Sequence, residues 1–299
     1  MTDYETAVER GAAWTLYLDD ACERLPQLDA ESVDLSVHSP PFDSLYVYSD
    51  SLRDLGNSKS RDEFLTHYGF VIRELFRLTK PGRMACVHVM DLSTTKATHG
   101  VVGLTDFSGQ VISAYVAEGW TYVARITVRK NPQAAAQRTK AQGLMFTTLR
   151  RDSSKTRPVH PDYVLIFRKP GDNTVPIATD VDNDTWIQWA EAIWTGIRET
   201  DTLNVRVARE DADERHIAPL QLSLIERCVR LWSNVGELVL SPFAGIGSEG
   251  YEAVRLGRRF VGVELKPSYF KTAVGNLREA EASTDAPGLF DELTDDGAA

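Results

Sequence analysis

At 299 residues, the chain is long enough to bury a sizeable core as one large α/β domain or two small ones, without disulfide or metal staples. Its apolar and charged fractions, 42% and 25%, are those of an ordinary globular protein, and no apolar run approaches the ~18 residues that cross a membrane. A net charge of −10 argues against a polyanionic partner, yet residues 121–160 carry nine Lys/Arg against the single acid Asp152, a local charge of +8. The acidic start MTDYETAVERGAAW lacks the basic and apolar regions of a signal peptide, so a cytoplasmic location is expected. Cys22, Cys86 and Cys228 are isolated and read as reduced, mostly buried thiols, and the six histidines show no metal-ligand spacing.

Residues 12–42 read as strand, helix, strand: WTLYL, a polar helical stretch, then SVDLSVH running into Ser39-Pro40-Pro41-Phe42. Ser60 and Glu63 have the spacing of a capping box. Phe64, Leu65, Tyr68, Val71, Ile72, Leu75 and Phe76 give the helix that follows one apolar face. Lys80-Pro81-Gly82 stops it, and MACVHVM follows as a buried strand. A helix and strand cover 108–128, and DYVLIF at 162–167 is another strand. Residues 170–215 are polar and acidic, an excursion from the sheet in which Trp186, Trp189, Ile193, Trp194 and Ile197 fall on one helical face and form a packing stripe. A helix over about 219–233, the strand ELVLSPF, a glycine turn, a helix over about 248–256, the strand RFVGVEL and a helix to Arg278 complete the pattern. The tail from Glu279 holds seven acids and no bases, and disorder is expected there (279–299). This rhythm predicts one α/β domain over 1–278, a mostly parallel sheet flanked by helices. Its parts are a half at 12–128, a basic insertion at 129–160, a second insertion at 170–215 and a half at 216–278.

Two turns carry chemistry. Gly245-x-Gly247-x-x-Gly250 sits between a predicted strand and helix, and Glu264 closes the next strand. Glycines there let backbone approach a ligand closely, and a carboxylate at a strand end can accept hydrogen bonds from two ribose hydroxyls. A structural turn, a dinucleotide site and an S-adenosylmethionine site all fit this pattern. A dinucleotide fold needs a second mononucleotide half, and only 35 residues follow Glu264, so the methyl donor with its single nucleoside fits better. The other turn, Ser39-Pro40-Pro41-Phe42, follows a strand and so lies where α/β ligand sites collect. Its prolines fix the backbone and leave carbonyls as free acceptors. The Ser39 hydroxyl and Pro40 carbonyl could accept N–H groups of an exocyclic amine, making its delocalised lone pair available for attack. Phe42 would stack on a flipped base. A rigid turn ending a strand is the simpler alternative for the tetrapeptide by itself.

Together, in this order, the motifs resemble the amino-group DNA methyltransferases of the N4-cytosine/N6-adenine type, in the permuted order that puts the catalytic half before the cofactor half. The likeness is carried by Leu18-Asp19-Asp20-Ala21 with ESVDLSVHSPPF, and by ELVLSPFAGIGSEGYEAVRLGRRFVGVEL, and covers roughly residues 14–90 and 216–278. It implies a Rossmann-like methyltransferase fold, S-adenosyl-L-methionine as cofactor, double-stranded DNA as substrate in a prokaryotic host or phage, and direct methyl transfer. Ser39, Pro40, Pro41 and Phe42 would be catalytic, and Asp20, Phe243, Gly245, Gly247 and Glu264 would touch the cofactor. Within the family a serine opening the tetrapeptide accompanies N4-cytosine more often than N6-adenine, which favours N4 of cytosine. The chain departs from the family at Ser241, where Asp is common, and at His216-Ile217-Ala218-Pro219, which keeps only the histidine of the usual helix start. The 5-methylcytosine branch is excluded, since it needs a nucleophilic cysteine after proline and none of the three cysteines has one.

In that context the basic stretch reads as the DNA face, with Arg129, Lys130, Arg138, Lys140, Arg150, Arg151, Lys155 and Arg157 as phosphate contacts. The insertion at 170–215 would choose the sequence, and its shortness suggests a homodimer to help span the duplex. An N6-adenine enzyme is the nearest alternative. An NAD-dependent oxidoreductase, a methyltransferase acting on RNA or protein, and a DNA-binding module without catalysis lie further off.

Overall fold

The computed structural model describes residues 5–41, 61–94, 96–132, 150–152, 160–203 and 219–285. The proposed cap Ser60, Phe42, His216 and the basic residues Arg138, Lys140, Lys155 and Arg157 lie outside these. In chain order the strands are β1 (Ala7–Arg10), β2 (Trp14–Leu18), β3 (Val33–His38), β4 (Thr79–Met90), β5 (Leu92–Thr94), β6 (Gly103–Thr105), β7 (Thr121–Val128), β8 (Asp162–Arg168), β9 (Ile193–Trp194), β10 (Leu238–Ser241) and β11 (Arg259–Glu264). The helices are α1 (Ala21–Arg24), α2 (Arg61–Leu78), α3 (Lys96–His99), α4 (Phe107–Ala117), α5 (Asn183–Trp189), α6 (Leu222–Trp232), α7 (Ser248–Arg255) and α8 (Pro267–Asp285). None of them is long and apolar enough to cross a membrane, among the described residues.

A nine-stranded sheet runs β1-β2-β11-β10-β3-β4-β8-β7-β9, with β5 and β6 as a separate ribbon. The central strands β2, β11, β10, β3 and β4 are parallel, as the alternation of strand and helix predicts. The DYVLIF strand β8 is antiparallel to β4, and β7 is antiparallel to β8. Alternate residues of each strand feed two cores, because a strand's side chains point to opposite faces. Leu35, Val37, Cys86 and Val239 face a core with α6, α7 and α8. Ala85, Val87 and Leu240 face another with α2 and α4, and Val33 joins it because the register shifts between Val33 and Leu35. Helix α2 forms because its apolar residues recur on one face. Phe64, Tyr68, Val71, Ile72, Leu75 and Leu78 are fully buried, each contributing roughly 1.5–3 kcal/mol of transfer free energy.

Three expectations are corrected. The aromatic stripe after Asp184 is not one helix: Asp182 caps α5, which ends at Trp189, and Ile193–Trp194 is a strand parallel to β7. Trp194 and Ile197 are core residues, whereas Trp186 and Ile193 are exposed. The segment after residue 170 is therefore not wholly an excursion, since it rejoins the sheet at Ile193–Trp194 as its edge strand. The tail expected to be disordered from Glu279 is helical to Asp285. Residues 279–285 extend α8, and Glu281 Oε1 accepts the Ala13 N–H at 2.9 Å, tying that helix to the start of β2.

Candidate active site

Because β2, β11, β10, β3 and β4 run parallel, their carboxyl ends share one edge, where loops and helix starts present backbone groups to a ligand. Along that edge stand Asp19 and Asp20 after β2, Glu264 at the end of β11, the glycine turn after β10, Ser39-Pro40-Pro41 after β3, and His88 near the end of β4.

The three glycines of the turn have separate jobs. Gly245 takes φ +53°, and among the described residues a Cβ there would meet nothing within 4 Å, so open space faces it. Gly247, at φ +86°, is the N-cap of α7 and lies so close to α8 that a Cβ would sit 3.1 Å from that of Ala273. At Gly250 a Cβ would come within 2.6 Å of Leu277 and the Phe260 ring, so this glycine lets α7 pack down. Asn276 fastens the turn by donating to the Ile246 carbonyl at 2.7 Å.

Glu264 reaches across to this turn. Its Oε2 accepts the Gly245 N–H and its Oε1 the Lys266 N–H, both at 2.8 Å. The Asp19 N–H donates to the Glu264 carbonyl at 3.0 Å, which brings the β2 end alongside. Asp20 caps α1 through the Cys22 N–H, and buried Asp19 is paired with Arg24. Glu249, in the first turn of α7, is buried; burial, with the charge of Glu264 adding to it, pushes its carboxyl up to about 8. At neutral pH the Glu249 carboxyl therefore keeps its proton.

The Ser39 turn adjoins a buried polar cluster. His38, the last residue of β3, places Nε2 3.0 Å from the Tyr68 hydroxyl and 3.2 Å from that of Tyr115. Burial lowers its imidazole to about 3, so the ring is neutral. Phe243 packs edge-on to His38 (centroids 6.0 Å apart) and lies beside Tyr68, which links the glycine turn to the Ser39 turn. Ser39 Oγ lies 3.2 Å from both Nδ1 and the carbonyl oxygen of His88. His88 Nε2 is 2.9 Å from Asp162 Oδ2, and Asp162 also pairs with Lys130. Burial opposes the ionised carboxylate of Asp162, but the His88 hydrogen bond and Lys130 outweigh it and hold its pKa below the ordinary value.

The structure thus brings together Ser39, Pro40, Phe243, Gly245, Gly247, Glu264 and Asp20 along one edge. Lys130 is corrected. The charge run assigns it to the DNA face, but its ammonium is engaged with buried Asp162, which needs a countercharge more than solvent does. Arg129, Arg150 and Arg151 are exposed, as a phosphate-contacting role requires. His88, Asp162 and Glu249 stand beside these candidate residues, and the sequence reading misses them. Their signal is a polar residue inside or at the end of an otherwise apolar element.

The family described as DNA methylase, with N6 and N4 amino groups as its targets, matches residues 33–275. The chain belongs to that family. It is therefore an S-adenosylmethionine-dependent DNA methyltransferase of the amino-methylating class. Over 278 residues it is 23% identical to the type II methyltransferase M.MjaI of Methanocaldococcus jannaschii, covering 82% of this chain and 85% of the relative. It is 24% identical over 270 residues to the DNA adenine methyltransferase YhdJ of Escherichia coli K12, covering 89% and 83%. A protein of Thermus thermophilus, described as a DNA modification methylase and solved with S-adenosyl-L-methionine, superposes with a TM-score of 0.65 at 25% identity, over 90% of this chain and 96% of that one.

Proposed function

We propose that this methyltransferase transfers the methyl group to N4 of cytosine in double-stranded DNA, with the cofactor along β11 and β10 and the base against the Ser39 turn. The observation that carries the reading is the adjacency of two unlike sites on neighbouring strands: Gly245 with Glu264, and Ser39 with Pro40. The cofactor side fits its ligand. The space over Gly245 is open, Glu264 offers a carboxylate, and the Ser241 and Ser248 hydroxyls are buried without a hydrogen-bond partner among the described residues. In this reading Glu264 takes the ribose hydroxyls, Gly245, Gly247 and Phe243 line the nucleoside, and Asp20 reaches the adenosine end. The bound sulfonium supplies an electrophilic methyl group.

Ser39 Oγ and the Pro40 carbonyl accept the amino N–H groups and hold the nitrogen in line for attack. Phe42 stacks on the flipped base. Arg129, Arg150 and Arg151, with the basic residues to 157, hold the phosphates; the insertion over 170–215 reads the sequence, and a second copy helps span the duplex. The preference for cytosine N4 rests on the resemblance: within the family a serine opening this tetrapeptide accompanies N4-cytosine more often than N6-adenine. The likeness to YhdJ favours adenine N6 as the second reading.

Mass spectrometry of nucleosides from DNA treated with the protein decides between them. N4-methylcytosine is expected, and N6-methyladenine as sole product would remove the preference. Ser39→Ala is expected to slow methylation by about a hundredfold or more at unchanged cofactor affinity. An undiminished rate would leave the Pro40 carbonyl as the only acceptor.

A further inference from the structure

From the chain of contacts running inward from Ser39, we propose that His88 is a positioning residue that takes up, through the Ser39 hydroxyl, the proton released by the methylated amine. This rests on the amino-methyltransferase reading. Forming the N–CH3 bond breaks the C–S bond, whose electron pair stays on sulfur. The nitrogen then carries a positive charge and must lose one of its protons. Ser39 Oγ is the acceptor placed at that nitrogen, but a serine hydroxyl cannot hold a second proton. Its own proton has a place to go: His88 Nδ1 is 3.2 Å away, on a ring whose other nitrogen faces Asp162 at 2.9 Å.

The tautomer follows from the partners. A carboxylate only accepts, so His88 Nε2 carries the hydrogen and Nδ1 keeps a lone pair turned to Ser39. Asp162 stays ionised in this position, because Lys130 and the imidazole N–H offset its burial. The proton moves from nitrogen to Ser39 Oγ as the serine proton moves to Nδ1. The resulting imidazolium is stabilised by Asp162 and returns its proton to solvent after the product leaves. In the free protein the Ser39 hydroxyl also has the His88 carbonyl oxygen within reach at 3.2 Å, so one residue offers it two acceptors and fixes its direction. His88 and Asp162 are both nearly buried, which keeps water from replacing the imidazole.

The experiment uses the full chain with S-adenosylmethionine and a DNA duplex. Asparagine at position 88 keeps a hydrogen-bonding atom near the place of Nδ1 but cannot take a proton. His88→Asn is therefore expected to lower the single-turnover methylation rate by about a hundredfold, in line with general-base contributions of roughly 10²–10⁴. Dissociation constants for cofactor and DNA should stay within about twofold. Asp162→Asn should act in the same direction. A second readout needs no turnover: nitrogen-15 spectra of the free protein should show the His88 ring carrying its hydrogen at Nε2 and bare at Nδ1. The opposite tautomer, or wild-type turnover in His88→Asn, overturns the relay while leaving the methyltransferase reading intact. Methylation of no base by the unaltered protein would overturn both.

Discussion

Replacing Glu264 with glutamine tests the cofactor edge with little change of shape. Each carboxylate oxygen accepts one backbone N–H, Oε2 from Gly245 and Oε1 from Lys266, both at 2.8 Å. Glutamine has one acceptor oxygen, so one of those amides would face an NH2 group. A hydrogen bond to a charged group contributes roughly 1.5–3 kcal/mol, and the unfolding free energy should fall by about that much. If the same carboxylate takes the ribose hydroxyls, a neutral and half-donating group there should weaken the cofactor by a similar amount. At 1.4 kcal/mol per decade, that is roughly a ten- to hundredfold rise in Kd for S-adenosylmethionine. Calorimetric titration reads the affinity, and thermal unfolding without cofactor reads the stability. A variant that unfolds earlier but binds like wild type would mean that the carboxylate only fastens the turn. The ribose assignment would then be wrong.

Glu249→Gln should alter the dependence of stability on pH. The folded state keeps this proton up to about 8 against a reference of 4.5, so the stabilisation is fully present below 4.5 and is lost as pH rises through 8. The glutamine variant should gain on wild type in Tm across that window, and parallel curves would refute the buried protonated acid. Arg129, Arg150 and Arg151 changed together to alanine should lower DNA affinity and flatten its salt dependence by about one unit per lost phosphate contact. An unchanged slope would make them ordinary surface. Gly250→Ala should cost about 1–3 kcal/mol by overpacking, since its Cβ would meet Leu277 and Phe260 at 2.6 Å. An unchanged Tm would show that α7 can shift freely.

The parts of the site that are legible in the sequence are those made by neighbours along the chain. The glycine turn, Glu264 after the next strand and Ser39-Pro40-Pro41 after β3 are local patterns, and a parallel sheet places their strand ends together. The His88–Asp162 contact joins residues 74 positions apart on adjacent strands. Each lies in a run dominated by its apolar neighbours, MACVHVM and DYVLIF, and no local pattern pairs one with the other. The reversed direction of β8 is hidden for a related reason: alternation shows that a strand has two buried faces, not which way it runs. The tryptophan stripe misleads because 186, 189, 193 and 197 keep helical spacing, while the chain leaves the helix at Ala190 and enters a strand at Ile193. Lys130 misleads because a charge run shows its sign but not which of its members has a buried partner.

The order of the strands has a consequence for how the protein is made. β3 lies between β4 and β10, and the Leu238 N–H that meets Asp34 comes from 204 residues further along the chain. At synthesis rates of about 5–20 residues per second, one edge of β3 waits roughly 10–40 s after emerging before its neighbour exists. β2 waits longer still for β11. During that interval the nascent sheet shows bare N–H and C=O groups along the side of β3 that β10 later covers, and such edges template pairing with other chains. Yield of the folded enzyme should therefore depend on translation speed and on chaperones that shield strand edges, more than on the stability of the finished molecule.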